Sequence, residues 1–231
     1  MTARFAIYFA PRRDTALARF GDAWLGRDVE TGRALPQPVL ATLSADRMAE
    51  LTEAPRHYGF HGTLKAPFQL ADGNDTRRLH ASLARFAARQ AKFAVPELKL
   101  KTIGRFLALA PASPVPALNA LAAACVETFD DFRAPPEPAD LAKRAATGLT
   151  PRQAELLARW GYPYVLDEFR FHLTLTGDVT EPAARDALQA ALAPLLEPVL
   201  AEPIAVDALC MFRQPDRAAP FRLIERFSFG S

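Results

Sequence analysis

Two copies of the tetrapeptide His-x-Thr-Leu, at 61–64 and 172–175, constrain the fold of this 231-residue chain more than any other feature. Each copy lies in a segment rich in aromatic and β-branched residues, which is typical of a β-strand. The two histidines are 111 residues apart. The pattern after each one predicts the same order of elements: strand, helix, strand and strand. A repeated order of this kind indicates a duplicated α+β unit.

Hydrophobic periodicity and turn residues predict the bounds of these elements. In the first unit, we expect a strand over 58–70, a helix over 74–90, and strands over 92–101 and 105–110. In the second unit, we expect a strand over 169–179, a helix over 181–196, and strands over 204–212 and 221–229. Outside the units, we expect a strand over 4–10, helices over 14–24, 44–51, 117–129 and 151–160, and irregular segments over 28–40 and 133–150.

These units predict a single bilobal domain over 1–231, in which antiparallel sheets carry helices on the outside and enclose a central cleft. Lobe one is expected to cover roughly 12–110. Lobe two is expected to cover roughly 165–231 together with the N-terminal strand. The segment 111–164 is then a helical connection or insertion. Within it, Thr150, Pro151 and Gln153 form a capping-box pattern, and Gly161 is a typical helix end.

Composition limits the classes of function. The net charge of +2 is too small for a dedicated nucleic-acid domain, but it suits a small anionic substrate held by local cations. Cys125 and Cys210 have no Cys or His at metal-ligand spacing, so both are predicted to be buried free thiols. The apolar runs are too short for a membrane helix or a signal sequence, so we expect a cytoplasmic protein that does not enter a membrane.

Period-two alternation gives each motif strand an apolar back and a polar front. The backs are formed by Tyr58, Phe60 and Leu64 in the first strand and by Phe169, Phe171, Leu173 and Leu175 in the second. The fronts are formed by His61, Thr63 and Lys65 in the first strand and by Arg170, His172, Thr174 and Thr176 in the second.

These polar fronts suit phosphoester chemistry. An imidazole titrates near neutral pH, so one histidine can accept a proton while the other donates one. A threonine hydroxyl can donate to a phosphoryl oxygen, and a nearby Lys or Arg offsets the phosphate charge. We therefore predict His61 and His172 as catalytic residues. The predicted substrate-binding residues are Thr63, Thr174, Lys65, Arg170 and, from its place on the first strand, Tyr58.

Other interpretations of the histidines are weaker. A single His-x-Thr in a strand is usually structural, but two copies at equivalent places in a duplicated unit favour catalysis. Two histidines are too few ligands for zinc, and no carboxylate or cysteine shares their face, so no metal and no cofactor is predicted. His57 is expected in a loop or strand entry, and His80 on an exposed helix face.

The segment 56–68 and the paired motifs resemble the 2H phosphoesterase superfamily, and within it the DUF1045 group, which is associated with phosphonate-utilisation gene clusters. The resemblance covers nearly the whole chain. It implies a bilobal α+β fold whose motifs line a central cleft, with chemistry that needs no metal. It also implies that His61 and His172 are catalytic and that Thr63 and Thr174 hold the phosphate. The segment 133–164 departs from the smaller RNA-processing members.

The resemblance implies a function as well. We expect a metal-independent phosphodiesterase, a hydrolase that opens a small cyclic phosphodiester such as 5-phosphoribosyl 1,2-cyclic phosphate. One alternative is an RNA-end 2′,3′-cyclic phosphodiesterase, which the small net charge disfavours; another is a phosphate-ligand binding protein without catalysis. The expected partner is a small phosphorylated substrate. The sequence leaves open the oligomeric state, the role of 111–164 and which histidine is the acid.

Overall fold

The computed structural model describes residues 3–41, 43–146 and 148–230, apart from the Lys143 side chain. These residues form seven α-helices and nine β-strands. The helices are α1 Ala16–Leu25, α2 Ala45–Tyr58, α3 Thr76–Ala87, α4 Pro116–Thr128, α5 Pro138–Ala145, α6 Pro151–Trp160 and α7 Pro182–Leu196. The strands are β1 Arg4–Phe9, β2 Gly62–Gln69, β3 Phe93–Val95, β4 Leu98–Ile103, β5 Phe106–Pro111, β6 Leu173–Thr174, β7 Ile204–Val206, β8 Ala208–Gln214 and β9 Arg222–Ser228.

Seven of the strands form one antiparallel sheet in the order β4-β5-β6-β2-β1-β8-β9, and β3 pairs with β7 in a second, two-stranded sheet. The two motif strands, β2 and β6, are neighbours at the centre. Each is followed along the chain by a helix, a short strand and a hairpin, β4–β5 or β8–β9. The predicted α+β class and the duplicated order of elements are therefore confirmed. The proposed lobe boundaries stay a prediction.

The main core lies between the large sheet and the helices that pack on it. Leu79, Leu83 and Phe86 recur at helical spacing on α3, and all three are buried. Burying a side chain of this size contributes roughly 1.5–3 kcal/mol, so this stripe explains why the segment folds as an amphipathic helix. Cys125 and Cys210 are buried free thiols, as predicted.

Helix α6 follows the predicted capping pattern. The Thr150 side chain accepts from the Gln153 amide, and the Gln153 side chain accepts from the Thr150 amide. Pro151 opens the helix, and Gly161 ends it with a left-handed φ of 72°. Local sequence therefore fixes both ends of α6.

The predicted strand over 58–70 was wrong in its first residues. Helix α2 runs on to Tyr58, and Gly59, with φ of 82°, ends it. The helix extends this far because Arg56 ties its last turn to α1 by donating to the Leu25 carbonyl at 2.6 Å. Tyr58 is therefore the last residue of a helix and does not share a strand face with Phe60.

The predicted strand over 169–179 was also too long, since only Leu173–Thr174 is strand. Thr176 leaves the ladder because its hydroxyl accepts from the Leu107 amide at 3.0 Å. Its side chain is 1% exposed, so it does not belong to the polar front. The residues just before the predicted strand form a 3-10 turn, Leu166–Glu168.

Three smaller predictions are corrected. The strands over 92–101 and 204–212 are each broken into two, at 96–97 and at Asp207. Pro96 has no amide hydrogen to continue a ladder, which explains the first break. The irregular segment over 133–150 contains α5, which begins at Pro138, where a missing amide hydrogen has no cost. Among the described residues, no helix is both long and apolar enough to cross a membrane.

Candidate active site

The register of β2 and β6 brings the two motifs together. Gly62 pairs with Leu173 in an antiparallel ladder. Continued by one residue, this register sets Thr63 beside His172 and His61 beside Thr174, with all four side chains on one face. The two histidines are then diagonal neighbours, whose positions in such a ladder are roughly 7–8 Å apart.

Glycine at position 62 makes this pairing possible. A Cβ atom there would lie 2.5 Å from the ring of Phe171, on the back of the sheet. Any side chain would push the aromatic ring away and separate the two motif strands. The glycine in the first motif is thus a packing requirement of the site.

His61 is held by three neighbours. Its ring stacks on the buried ring of Tyr8, with centroids 3.8 Å apart and an interplanar angle of 23°. Its Nδ1 lies 2.9 Å from the Gly59 carbonyl oxygen, and its Nε2 lies 3.1 Å from Thr63 Oγ1. A carbonyl only accepts hydrogen bonds, so Nδ1 carries the proton and the neutral ring accepts at Nε2.

His172 repeats this arrangement with different neighbours. Its Nδ1 donates to the Arg170 carbonyl oxygen at 2.7 Å, again two residues upstream. Its ring lies 5.6 Å from the ring of Phe106, at an angle of 45°. In both histidines the same backbone contact fixes the tautomer and leaves Nε2 without a proton in the neutral ring.

Burial sets the charge of both rings. It lowers the pKa of His61 to about 4; the charge of His172 lowers it as well, and the hydrogen bond to Gly59 opposes the shift. Burial also lowers the pKa of His172, against the hydrogen bond to the Arg170 carbonyl. Both imidazoles are therefore mainly neutral at pH 7 in the ligand-free protein.

A cleft of about 720 Å³ opens beside the motifs. Thr63, Arg170 and His172 line it, and His61 contacts it through the hydroxyl of Thr63. Most of the rest of the lining comes from the turn between β4 and β5 and from part of the chain that runs from α6 to the second motif. A volume in this range is typical of small-molecule sites.

Several polar residues of the cleft were not predicted as site residues. Tyr162, Tyr164, Gln153 and Glu168 line the cleft. They lie in and just after the segment that departs from the smaller RNA-processing proteins. A sequence signal was present, since Tyr162 and Tyr164 flank a proline shortly before the second motif. Tyr8 was missed too, because an aromatic residue in a strand is ordinarily a core residue.

The structure places the three other predicted substrate-binding residues in different surroundings. The exposed side chain of Arg170 lines the cleft. Tyr58 stacks on Phe221, and its ring is 6.2 Å from that of His61, at the edge of the site. Lys65 is 4% exposed and is not a lining residue of the cleft.

The Lys65 ammonium group lies in a buried polar cluster instead. It donates to the Val126 carbonyl at 3.0 Å and to Asp130 at 3.3 Å. Burial lowers the pKa of Lys65 to about 8, and the Asp130 carboxylate opposes this shift. The structure therefore gives Lys65 a contact with α4 and the turn after it, and no contact with either histidine.

The described part of the chain contains no group of three or more His, Cys, Asp or Glu side chains placed to hold a metal ion. The two other histidines lie outside the motif pair. His57 accepts from the Gln214 side-chain amide at 2.7 Å, and His80 pairs with Glu225 at 2.8 Å.

Together the sheet and the paired motifs define an α+β protein with a duplicated His-x-Thr site. The chain belongs to the family described as "Protein of unknown function (DUF1045)", which matches residues 63–222. The resemblance drawn from the segment 56–68 is confirmed for this family.

Two curated relatives carry the name "Ribose 1,5-bisphosphate phosphokinase PhnN". The protein from Janthinobacterium sp. (strain Marseille) is 38% identical over 231 residues, which are 98% of this chain and 51% of the relative. The protein from Laribacter hongkongensis (strain HLHK9) is 38% identical over 221 residues, which are 95% of this chain and 50% of the relative. The chain thus spans about half the length of these relatives.

Solved structures show more distant likenesses. Escherichia coli LigT complexed with 3′-AMP aligns over 100% of both chains, with a TM-score of 0.44 and 14% identity. The conserved protein of unknown function ATU0111 from Agrobacterium tumefaciens aligns over 99% of this chain and 87% of its own, with a TM-score of 0.42 and 14% identity. The family assignment rests on the sequence match.

Proposed function

We propose that this chain is a phosphodiesterase that opens a small cyclic phosphodiester, with His61 and His172 as its acid–base pair and without a metal ion. One observation carries the proposal: the register of β2 and β6 sets both His-x-Thr motifs on one face, each histidine with the same backbone contact at Nδ1. That arrangement offers two reactive nitrogens and two hydroxyls to a single phosphate.

The reaction needs one water molecule. A neutral imidazole takes a proton from the water as its oxygen attacks phosphorus. The protonated imidazole of the other motif gives a proton to the ring oxygen that leaves. One P–O bond forms and one breaks, and the products are a phosphate monoester and a free hydroxyl on the same molecule. Proton exchange with solvent restores both rings.

The surroundings of the two rings support His61 as the base. Protonation is costlier there, because the ring is stacked on Tyr8 and its pKa is lowered to about 4. His172 lines the open cleft beside Arg170. In this scheme, a phosphate that binds in the cleft contacts His172 directly. The negative charge of the phosphate raises the pKa of the imidazole it contacts, which favours His172 as the acid.

Thr63 and Thr174 supply the phosphate contacts in this scheme. In the ligand-free protein Thr63 Oγ1 bonds to His61 Nε2, so the same hydroxyl can turn to a phosphoryl oxygen when the substrate binds. Arg170 offsets the phosphate charge from the wall of the cleft.

The names of the relatives support a ribosyl substrate. Both are named for ribose 1,5-bisphosphate, a sugar phosphate, which agrees with a ribosyl cyclic phosphate as the substrate here. Their kinase activity is not proposed for this chain, which spans half their length and has no G-x-x-x-x-G-K-S/T motif for nucleotide phosphates.

The test is a hydrolysis assay on ribosyl cyclic phosphates, 2′,3′-cyclic nucleotides and RNA ends, each with and without EDTA. We expect turnover of the small ribosyl substrates that survives EDTA and is lost in His61→Ala and His172→Ala. Activity lost to EDTA and restored by added metal would overturn the metal-independent mechanism. Preference for RNA ends would establish the RNA alternative, and binding without any turnover would establish the binding-protein alternative.

A further inference from the structure

Two carboxylates line a cleft that we assign to an anionic substrate, Glu168 and Asp178. Asp178 is neutralised by Arg105, which donates to it at 3.0 and 2.6 Å. Glu168 accepts a hydrogen bond from the neutral Gln153 amide at 2.9 Å. Among the described side chains, Glu168 has no ion-pair partner. A free carboxylate near a phosphate opposes substrate binding unless the substrate offers it hydrogen-bond donors.

The backbone around Glu168 is strained into place. Glu168 ends the turn Leu166–Glu168, and Leu166 has φ of 54°, the one left-handed non-glycine residue in the described ranges. That conformation costs an ordinary residue roughly 1–2 kcal/mol. The Leu166 side chain packs against Val126, Leu156 and Val165, and this packing holds the turn. Strain of this kind collects at ligand sites.

Two side-by-side contacts fix the turn to α6. Arg152 donates to Asp167 at 2.9 and 2.7 Å, and Gln153 donates to Glu168. The direction of the Gln153 amide is set by the helix cap, because its oxygen accepts from the Thr150 amide at 3.1 Å. Gln153 thus holds one carboxylate oxygen of Glu168 and leaves acceptor capacity for a ligand.

We propose that Glu168 determines specificity by accepting hydrogen bonds from sugar hydroxyls of the cyclic phosphate, which restricts the enzyme to polyhydroxylated substrates. This inference rests on the proposed function. A carboxylate can only accept, so the group it meets must be a donor. Hydroxyls supply donors without the positive charge that would compete with Arg170 for the phosphate.

The test compares two substrates across matched variants. One substrate is a ribosyl cyclic phosphate, and the other is the cyclic phosphate of ethylene glycol, which has no free hydroxyl. Glu168→Gln keeps an acceptor for Gln153 and removes the charge, and Glu168→Ala removes both. Glu50→Gln is the control, because Glu50 is an exposed carboxylate outside the cleft that is paired with Arg47.

We expect both Glu168 variants to lower kcat/KM for the ribosyl substrate by roughly 10–100-fold, mainly through KM, the scale of one or two charge-assisted hydrogen bonds. The kcat/KM for the ethylene glycol substrate should change less than about twofold, and Glu50→Gln should leave kcat/KM for both substrates nearly unchanged. Equal loss on both substrates would show a structural role and overturn the proposal, as would no loss on either. Thermal melts of each variant separate unfolding from specificity.

Failure of the proposed function gives a different result. If the wild-type protein turns over neither substrate, titration calorimetry with ribose 5-phosphate and with inorganic phosphate replaces the assay. Weaker binding of ribose 5-phosphate alone in Glu168→Ala would still support hydroxyl recognition. Equal effects on both ligands, or none, would overturn it.

Discussion

The two His-x-Thr motifs share a sequence pattern but not their surroundings. The first lies at the start of the eight-residue strand β2, where His61 stacks on buried Tyr8 and bonds to Thr63. The second surrounds the two-residue strand β6, where His172 lies beside Phe106 and lines the cleft. Duplication therefore supplies two similar groups, and packing gives them different protonation chemistry.

This difference has a physical origin in the sheet. Both motif strands are paired on both sides, β2 with β1 and β6, and β6 with β5 and β2, so the difference comes from the rings around each histidine: Tyr8 of β1 covers one face of His61 at 3.8 Å. β6 is short because the chain enters it from a turn and leaves it at Thr176. In the proposed mechanism, this difference makes His172, which lines the cleft, the acid and His61, with its pKa lowered to about 4, the base.

The largest expected effect comes from removing either ring. His61→Ala and His172→Ala should each lower kcat by roughly 10²–10⁴-fold, the usual scale of general acid–base catalysis. The double variant should lose much less than the product of the single losses, because groups that act as a unit are non-additive. Steady-state kinetics on a confirmed substrate measures this, and near wild-type rates in both single variants would refute the acid–base pair.

Substituting the threonines should also show a difference between the two motifs, with smaller losses of activity than substituting the histidines. Thr63→Val and Thr174→Val each remove one phosphate hydrogen bond, which should cost roughly 10–100-fold in kcat/KM. Thr63→Val should cost more, because the Thr63 hydroxyl also contacts His61 Nε2. Thr→Ser at each position is the matched control and should retain most activity. A larger loss of kcat/KM in Thr174→Val than in Thr63→Val would contradict the prediction that the Thr63 hydroxyl has the additional role.

The sequence predicted much of this site because its chemistry is carried by short local patterns. Alternation alone placed His61 and Thr63 on one face, and the capping box of Thr150 and Gln153 is purely local. Prediction from the sequence failed where tertiary contacts override the local pattern. Tyr58 is helical because Arg56 ties α2 to α1. Tyr8 reaches the site from β1, which is far along the chain from both motifs. Glu168 lies only four residues before His172, but the turn Leu166–Glu168 that positions it was not predicted.

The stability of the protein should depend on pH, and His61 should contribute more to this dependence than His172. The pKa of His61 in the folded protein, about 4, is below its ordinary value of 6.5. The contribution of His61 to the free energy of unfolding is therefore complete above pH 6.5 and is lost as the pH falls towards 4. The slope should be at most about 1.4 kcal/mol per pH unit for this group. His61→Asn should remove this dependence in urea unfolding at pH 7 and 5. His172→Asn should remove less, because no ring stacks on His172 as closely as Tyr8 stacks on His61, and an equal effect would contradict this difference in ring contacts.

Lys65 should have the smallest effect on catalysis, although the sequence placed it with the substrate-binding residues. Its ammonium group contacts Val126 and Asp130 under α4, so Lys65→Met should change kcat/KM by less than about threefold, below the loss of one hydrogen bond to substrate. The variant should instead lower the free energy of unfolding by about 1–2 kcal/mol, because it leaves the Val126 carbonyl without its donor.

The pH dependence of stability tests the position of Lys65 a second way, because the pKa of Lys65 in the folded protein is lowered to about 8. Between pH 8 and 10 the unfolded chain binds more protons at this lysine than the folded protein does, so wild-type stability should rise relative to the variant. Lys101→Met, which removes a partly buried contact with the Pro111 carbonyl, is the control for losing a lysine from a strand. A tenfold rise in KM for Lys65→Met with unchanged stability would contradict this prediction. It would show that Lys65 contacts the substrate and that the cleft extends beneath β2.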